Sequence, residues 1–199
     1  DLACGTGSLS LELAKRGLDV IGVDFSPEML SFAAEKAAKE KKEILFLCQD
    51  MTELDLYGTV DLTVCALDSF NHLPDAKSVQ NTFEKVFLFT APGGIFLFDM
   101  NTPYKHEYIL GDQSFVQESE ALFLVWQNAF FRESYTVQMQ LDFFLKQKNG
   151  YRREQEFITE KAYPQEEIKR WLQQAGFAVL DVFGEDMESP KKEEERWLF

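Results

Sequence analysis

Two glycines and three aspartates carry the first chemical signal in the chain. Gly5 and Gly7 lie in "DLACGTGSLS" behind Asp1, Asp24 closes the apolar run "DVIGVD", and Asp50 follows "ILFLC". A glycine loop between a strand and a helix start lets the backbone approach a ligand closely. Three ligands suit such a loop: a nucleoside triphosphate, a dinucleotide or a nucleoside sulfonium. A triphosphate loop needs a lysine and a serine or threonine after its last glycine. Here Gly7 is followed by Ser8 and Leu9, and no lysine comes before Lys15, so the triphosphate reading fails.

The dinucleotide fingerprint G-x-G-x-x-G lacks its third glycine, because Ser10 stands there. Charge separates the two remaining ligands further. A carboxylate at Asp1, beside the loop, repels a pyrophosphate and attracts the ammonium and sulfonium of S-adenosylmethionine. Asp24 is placed to accept hydrogen bonds from both hydroxyls of a ribose, a feature both ligands share. Asp50 can accept from an adenine amino group while Met51 packs on the ring. Ligands of open α/β sheets bind outside the carboxyl ends of the strands, where all three aspartates would sit. Each aspartate alone also reads as a strand terminator or a helix cap; the three in register with a glycine loop favour a bound nucleoside.

The elements that must position these groups follow from the pattern of apolar residues. Short apolar runs alternate with helical stretches over the first hundred residues, the signature of a parallel sheet flanked by helices. Leu9, Leu13 and Ala14 mark a helix after the glycine loop. Residues 19–24 form a second strand, and "SPEMLSFAAEKAAKEKK" a helix with Ser26 as N-cap and Pro27 in its first turn. Residues 44–48 and 60–67 are the third and fourth strands, the fourth apolar on both faces. "SVQNTFEKVFLFT" is a helix stopped by Pro92, Gly93 and Gly94, and residues 95–100 are the fifth strand. Residues 113–163 then alternate as an antiparallel insertion of about three strands, with Asn149-Gly150 as a hairpin turn. Residues 164–176 form an amphipathic helix, "FAVLDVF" another strand, and "RWLF" a closing edge strand.

At 199 residues the chain fits one domain. Its 19 Phe argue for a packed core rather than a solvated tail. The formal charge of -14, from 20 Lys and Arg against 34 Asp and Glu, disfavours bulk nucleic-acid binding, with tRNA left open through a local basic patch. Cys4, Cys48 and Cys65 are too scattered for a disulfide framework, which points to reduced thiols in the cytoplasm. No apolar run approaches the ~20 residues of a membrane helix, and no set of metal ligands is expected.

These residues resemble the class I S-adenosylmethionine-dependent methyltransferases, and more narrowly the bacterial small-molecule type. "DLACGTG" matches the family's (D/E)-x-x-x-G-x-G motif, followed by "GVDFSPEML", "APGGIFLFD" and "AGF". The resemblance implies a Rossmann-like, doubly wound, mostly parallel seven-stranded sheet in the order 3-2-1-4-5-7-6, with "RWLF" as the antiparallel seventh strand. It implies that Asp1, Ala3, Cys4, Gly5 and Gly7 line the methionine and ribose of the cofactor and that Asp24 binds the ribose. Phe25 and Met29 would flank the adenine, Asp50 and Met51 would hold it, and the backbone of Ala66 and Leu67 would accept from the ammonium. The insertion would roof a pocket for a small-molecule acceptor. A buried central strand spans ~5 or 6 residues, yet only "DLAC" precedes the glycines. The first strand is therefore expected to lack its apolar first half, together with a segment that helps cover the cofactor.

The stretch "ALDSFNHL", residues 66–73, should face the transferred methyl group. It carries neither the (D/N)-P-P-(Y/F) of amino-methylating DNA enzymes nor a Pro-Cys nucleophile, and Cys65 reads as a buried apolar group. Methyl transfer from a sulfonium relies on alignment and exclusion of water, and needs a base only where the acceptor must lose a proton. Asp68 and His72 are the candidates, although His72 also fits a histidine hydrogen-bonded at a helix start. His106 would lie at the mouth of the cleft, and Tyr104, Trp126, Phe130, Phe131 and Tyr135 would line the acceptor pocket or serve as core. Two other functions use the same loop: a nicotinamide-dependent oxidoreductase and a non-catalytic cofactor- or partner-binding domain.

Overall fold

Side-chain caps start two of the four α-helices of the computed structural model, which describes residues 1–199. The glycine loop runs into α1 (Ser8–Lys15), and β1 (Ile21–Asp24) follows. In α2 (Pro27–Lys39), Ser26 Oγ accepts from Met29 N at 3.2 Å and Pro27 fills a first-turn position whose N–H has no helical partner. After β2 (Leu45–Cys48) and β3 (Val60–Cys65), Asp75 caps α3 (Ala76–Leu88) by accepting from Ser78 N at 2.8 Å. β4 is longer than expected, Thr90–Asn101, because "PGG" continues the strand instead of ending in a loop.

β1 pairs in parallel with β2, β3 pairs in parallel with β4, and β9 (Arg196–Leu198) runs antiparallel to β4. Residues 1–4 lie between the two halves. Leu2 N donates to Val64 O at 2.8 Å on one side, while Val23 N donates to Asp1 O and Cys4 N to Val23 O, both at 2.9 Å, on the other. Residues 177–183, expected as a strand, form only a bridge at Phe183 to Leu198. β3 is not apolar on both buried faces as expected: Asp61 and Leu62 are exposed.

The insertion is a four-stranded antiparallel sheet, β5 (Ser114–Glu118), β6 (Leu122–Phe131), β7 (Thr136–Gln147) and β8 (Gly150–Lys161). About three strands were expected, because β5 is an exposed edge with almost no buried position and so lacks apolar alternation. Gln147 pairs with Gly150, which centres the hairpin turn on Lys148 and Asn149, one residue earlier than expected. Gly176, at φ 113°, then ends α4 (Gln165–Ala175), where the left-handed conformation favours glycine.

The main core lies where α3 and α4 pack against β3 and β4. Phe70, Phe83 and Phe98 are almost wholly buried there, with ring centroids 5.1 to 5.3 Å apart, and Phe199 stacks on Phe98 at 4.9 Å. Truncating Phe83 leaves a void in this cluster, so Phe83→Ala is expected to cost roughly 3 to 5 kcal/mol, read from urea unfolding followed by circular dichroism.

Candidate functional site

The glycine loop is fixed from three directions. Gly7 has φ 69°, and a Cβ there would lie 2.8 Å from Ala33 Cβ, so close packing of the loop on α2 requires glycine. Gly5 has φ 52°, yet a Cβ on it would meet nothing within 4 Å, so open space lies above the loop at that residue. Asp24 ties the loop to the end of β1: Oδ2 accepts from Gly5 N at 2.8 Å and Oδ1 from Ser26 N at 2.9 Å. The fully buried Ser10 donates to Asp1 Oδ2 at 2.6 Å.

Folding brings a lysine that the local spacing did not show. Lys36 Nζ, from α2, lies 3.1 Å from Thr6 Oγ1 and 2.9 Å from Ser8 Oγ and clamps the loop through its hydroxyls. Cys4 packs into the core, where burial, then the Asp24 carboxylate, push its thiol up to about 11. Its carbonyl accepts from Gly7 N at 2.8 Å. Ala3 adopts a left-handed φ of 56° beside it.

The carboxyl ends of β1 and β2 meet through Gln49 N, which donates to Asp24 O at 3.0 Å, so Asp24 and Asp50 share one edge. Asp50 Oδ1 caps a short turn by accepting from Thr52 N and Thr52 Oγ1, both at 2.8 Å, and Met51 opens that turn half-buried. Phe25 and Leu67 are 78% and 77% exposed and Met29 is also exposed, an apolar set at strand ends where large side chains otherwise seek cover. Ala66 O accepts from Ser69 Oγ at 2.8 Å. Leu67 and Asp68 are successive left-handed residues, φ 60° and 52°, a strain of the kind held at functional sites.

A second polar cluster occupies the ends of β3 and β4. Asp68 Oδ2 accepts from Asn101 Nδ2 and lies 3.3 Å from Arg196 Nη2, so it is a paired carboxylate that holds its neighbours. Asp99 Oδ2 accepts from Asp68 N at 3.0 Å and pairs with Arg196. Burial disfavours the Arg196 charge, but Asp68 and Asp99 outweigh it and hold the guanidinium protonated. Asn71, wholly buried, crosslinks the cluster by donating to Asn101 O and Lys161 O at 3.1 and 3.0 Å.

His72 lies on the turn Ser69–His72, half-exposed, with Nε2 3.8 Å from Glu160 Oε1. His106 is wholly buried and therefore does not sit at the cleft mouth as expected; its Nδ1 lies 2.7 Å from Tyr135 O. Of the expected pocket aromatics, Trp126 and Phe130 pack on the small core of the insertion around Leu110, Val137 and Met139. Phe131 is exposed, and Tyr104 stacks near Tyr108 at 5.1 Å. Glu160, Asp99, Asn101 and Arg196 were not singled out from the sequence. The available signal for Glu160 was a carboxylate on the same strand face as Ile158 and Ala162. Burial opposes ionisation of Glu160, but His106 and Asn101, with His72 behind them, hold its carboxyl below the usual range.

Residues 1–94 match a family model described as a methyltransferase domain. A crystal structure of an S-adenosylmethionine-dependent methyltransferase from Clostridium acetobutylicum ATCC 824 superposes with a TM-score of 0.93 at 33% identity, covering 100% of this chain and 80% of that one. YqeM of Bacillus subtilis (strain 168), which carries a methyltransferase name, is 35% identical over 201 residues, covering 100% of this chain and 81% of that protein. The chain belongs to the S-adenosylmethionine-dependent methyltransferases. Glycine N-methyltransferase of Rattus norvegicus is 32% identical over 123 residues, 55% of this chain and 41% of that protein.

S-adenosylmethionine is thus the cofactor of this methyltransferase, within a Rossmann-like α/β fold, and no helix is long and apolar enough to cross a membrane. The residues present fit that cofactor. The space above Gly5 admits a ligand against bare backbone, and Asp1 and Asp24 supply negative charge without a neighbouring side-chain cation on either carboxylate. The cation at the loop, Lys36, is held on hydroxyl groups instead.

Two measurements follow for this methyltransferase. Gly7→Ala is expected to lower the thermal midpoint more than Gly5→Ala, since both lose about 1 kcal/mol to the left-handed φ and only Gly7 also meets Ala33; Gly5→Ala should instead weaken S-adenosylhomocysteine binding in calorimetry. Glu160 has a lowered folded-state pKa, so its stabilisation is complete above the unfolded value of about 4.3 and is lost as pH falls through the folded value. The drop in thermal midpoint between about pH 5 and pH 3 should therefore be shallower in Glu160→Gln than in the wild-type chain.

Proposed function

We propose that this methyltransferase acts on an N or O nucleophile of a small molecule, in the cytoplasm. The observation that carries the reading is the adjacency of two differently built halves. A carboxylate-lined glycine loop stands at the ends of β1 and β2, and a buried polar cluster stands at the ends of β3 and β4, joined through residues 1–4. The sheet order is taken as 3-2-1-4-5-7-6, with residues 1–4 as the first strand and residues 177–183 in the sixth position.

In this reading Asp1, Ala3, Cys4, Gly5 and Gly7 line the methionine and ribose of the cofactor, Asp24 the ribose, Phe25, Met29, Asp50 and Met51 the adenine, and Ala66 and Leu67 the ammonium. When bound, S-adenosylmethionine supplies a methyl carbon on an already activated sulfur leaving group. Asp68 braces the 66–73 turn through Asn101 and Arg196, and His72 takes the acceptor's proton. Residues 113–163 roof the acceptor, a reading supported by Glu160 and Tyr135 O of that insertion reaching His72 and His106. A small acceptor accords with the glycine N-methyltransferase relative, and the charge of -14 weighs against a nucleic-acid backbone.

Isothermal titration with S-adenosylhomocysteine tests the cofactor site. Binding is expected in the wild-type chain and should weaken by about tenfold or more in Asp24→Ala, since hydrogen bonds to a charged group contribute about 1.5 to 3 kcal/mol. Quenching by NADH with no response to S-adenosylhomocysteine would reject the reading. Labelled methyl transfer into a metabolite extract then tests the small-molecule acceptor.

A further inference from the structure

The chain contains two histidines, and both face one carboxylate. His106 Nδ1 lies 2.7 Å from a carbonyl, Tyr135 O, which only accepts, so Nδ1 carries a proton. Its Nε2 makes no hydrogen bond, is buried, and lies 3.4 Å from Glu160 Oε2. Two bare lone pairs facing each other in a wholly buried site repel, whereas one proton between Nε2 and Oε2 makes the contact attractive. Asn101 Nδ2 anchors the same oxygen at 2.9 Å. Oε2 is therefore committed, and Oε1 is left facing His72 Nε2 at 3.8 Å, within ion-pair range and a few tenths of an ångström beyond hydrogen-bond length.

We propose that Glu160 is the positioning residue for the methyl-transfer site: held at Oε2 by Asn101 and His106, it turns Oε1 to His72 Nε2–H and leaves His72 Nδ1 as the proton acceptor. This rests on the acceptor site proposed above and adds the residue that sets the tautomer. As the acceptor's lone pair forms the bond to the methyl carbon, the carbon–sulfur pair stays with sulfur, and the proton the acceptor sheds ends on His72 Nδ1. Glu160 offsets the charge that then appears on the ring. The groups facing Glu160 are His72 from the 69–72 turn, His106 from a short π-helix at Lys105–Leu110 and the neutral Asn101 from β4. Lys105 Nζ binds Asn101 Oδ1 at 2.9 Å, and Asp68 and Arg196 lie beyond Asn101.

With two imidazoles in the chain, nitrogen-15 NMR of histidine-labelled protein saturated with S-adenosylhomocysteine reads the arrangement directly, and His72→Gln assigns the signals. The wild-type spectrum should show neutral His72 as the Nε2–H tautomer, and Glu160→Gln should return it to a mixture, while Glu160→Asp keeps part of the preference. An Nδ1–H tautomer in the wild-type chain overturns the proposal whether or not any variant folds, as does an unchanged tautomer in folded Glu160→Gln. Turnover on a metabolite extract should fall by about a hundredfold in His72→Gln, and free imidazole should restore turnover to His72→Gly but not to Glu160→Gln. Failure of the wild-type chain to bind S-adenosylhomocysteine would instead reject the cofactor reading on which the site rests.

Discussion

Residues Asp1 to Cys4 hydrogen-bond on both sides, to β1 through Val23 and to β3 through Val64, and the rest of the site depends on that seam. β1 with β2, and β3 with β4 and β9, are otherwise separate sheets. Joining them aligns the carboxyl ends of all four strands along one edge, where open α/β sheets bind their ligands. The glycine loop leaves the seam directly, so Gly5 N meets the Asp24 carboxylate at the end of the neighbouring strand. One set of backbone bonds thus places the loop, the Asp24 carboxylate and the 66–73 turn side by side.

The carboxylates on that edge are satisfied in two physically different ways. Asp1 and Asp24 accept from a hydroxyl and from backbone N–H groups, neutral donors that orient the charge without cancelling it. Such carboxylates keep a net attraction for a sulfonium and an ammonium. Asp68, Asp99 and Glu160 instead face Arg196 and two histidines, with Lys105 one residue removed through Asn101. Those partners offset part of their charge, which lowers the cost of burying it.

Helices were legible where their ends are local chemistry, as at Ser26 and Gly176, which cap α2 and α4; α3 starts at Ala76, two residues before the expected Ser78, because Asp75 caps it. Interior strands were legible wherever burial imposes apolar runs. The reading weakened where that constraint lapses. β5 is exposed and carries no alternation, and "FAVLDVF" has the composition of a strand but bonds to β9 only at Phe183. His106 shows the converse failure, since a polar side chain in a loop-like stretch became one of the most buried groups of the molecule.

By itself the sequence determined the glycine loop, the strand-end aspartates and their compatibility with a sulfonium nucleoside, because those depend on short spacings and on the order in which strands leave the chain. Only the tertiary structure decided which groups gather in the polar cluster at the ends of β3 and β4. Asp68 meets Arg196 across 128 residues and Asn101 meets Glu160 across 59, through the registers of β9 on β4 and the docking of β8 on the 69–72 turn. A carboxylate's role follows from the donors it faces after burial. Pairings across such separations are chosen by sheet register and packing, and leave no local pattern along the chain.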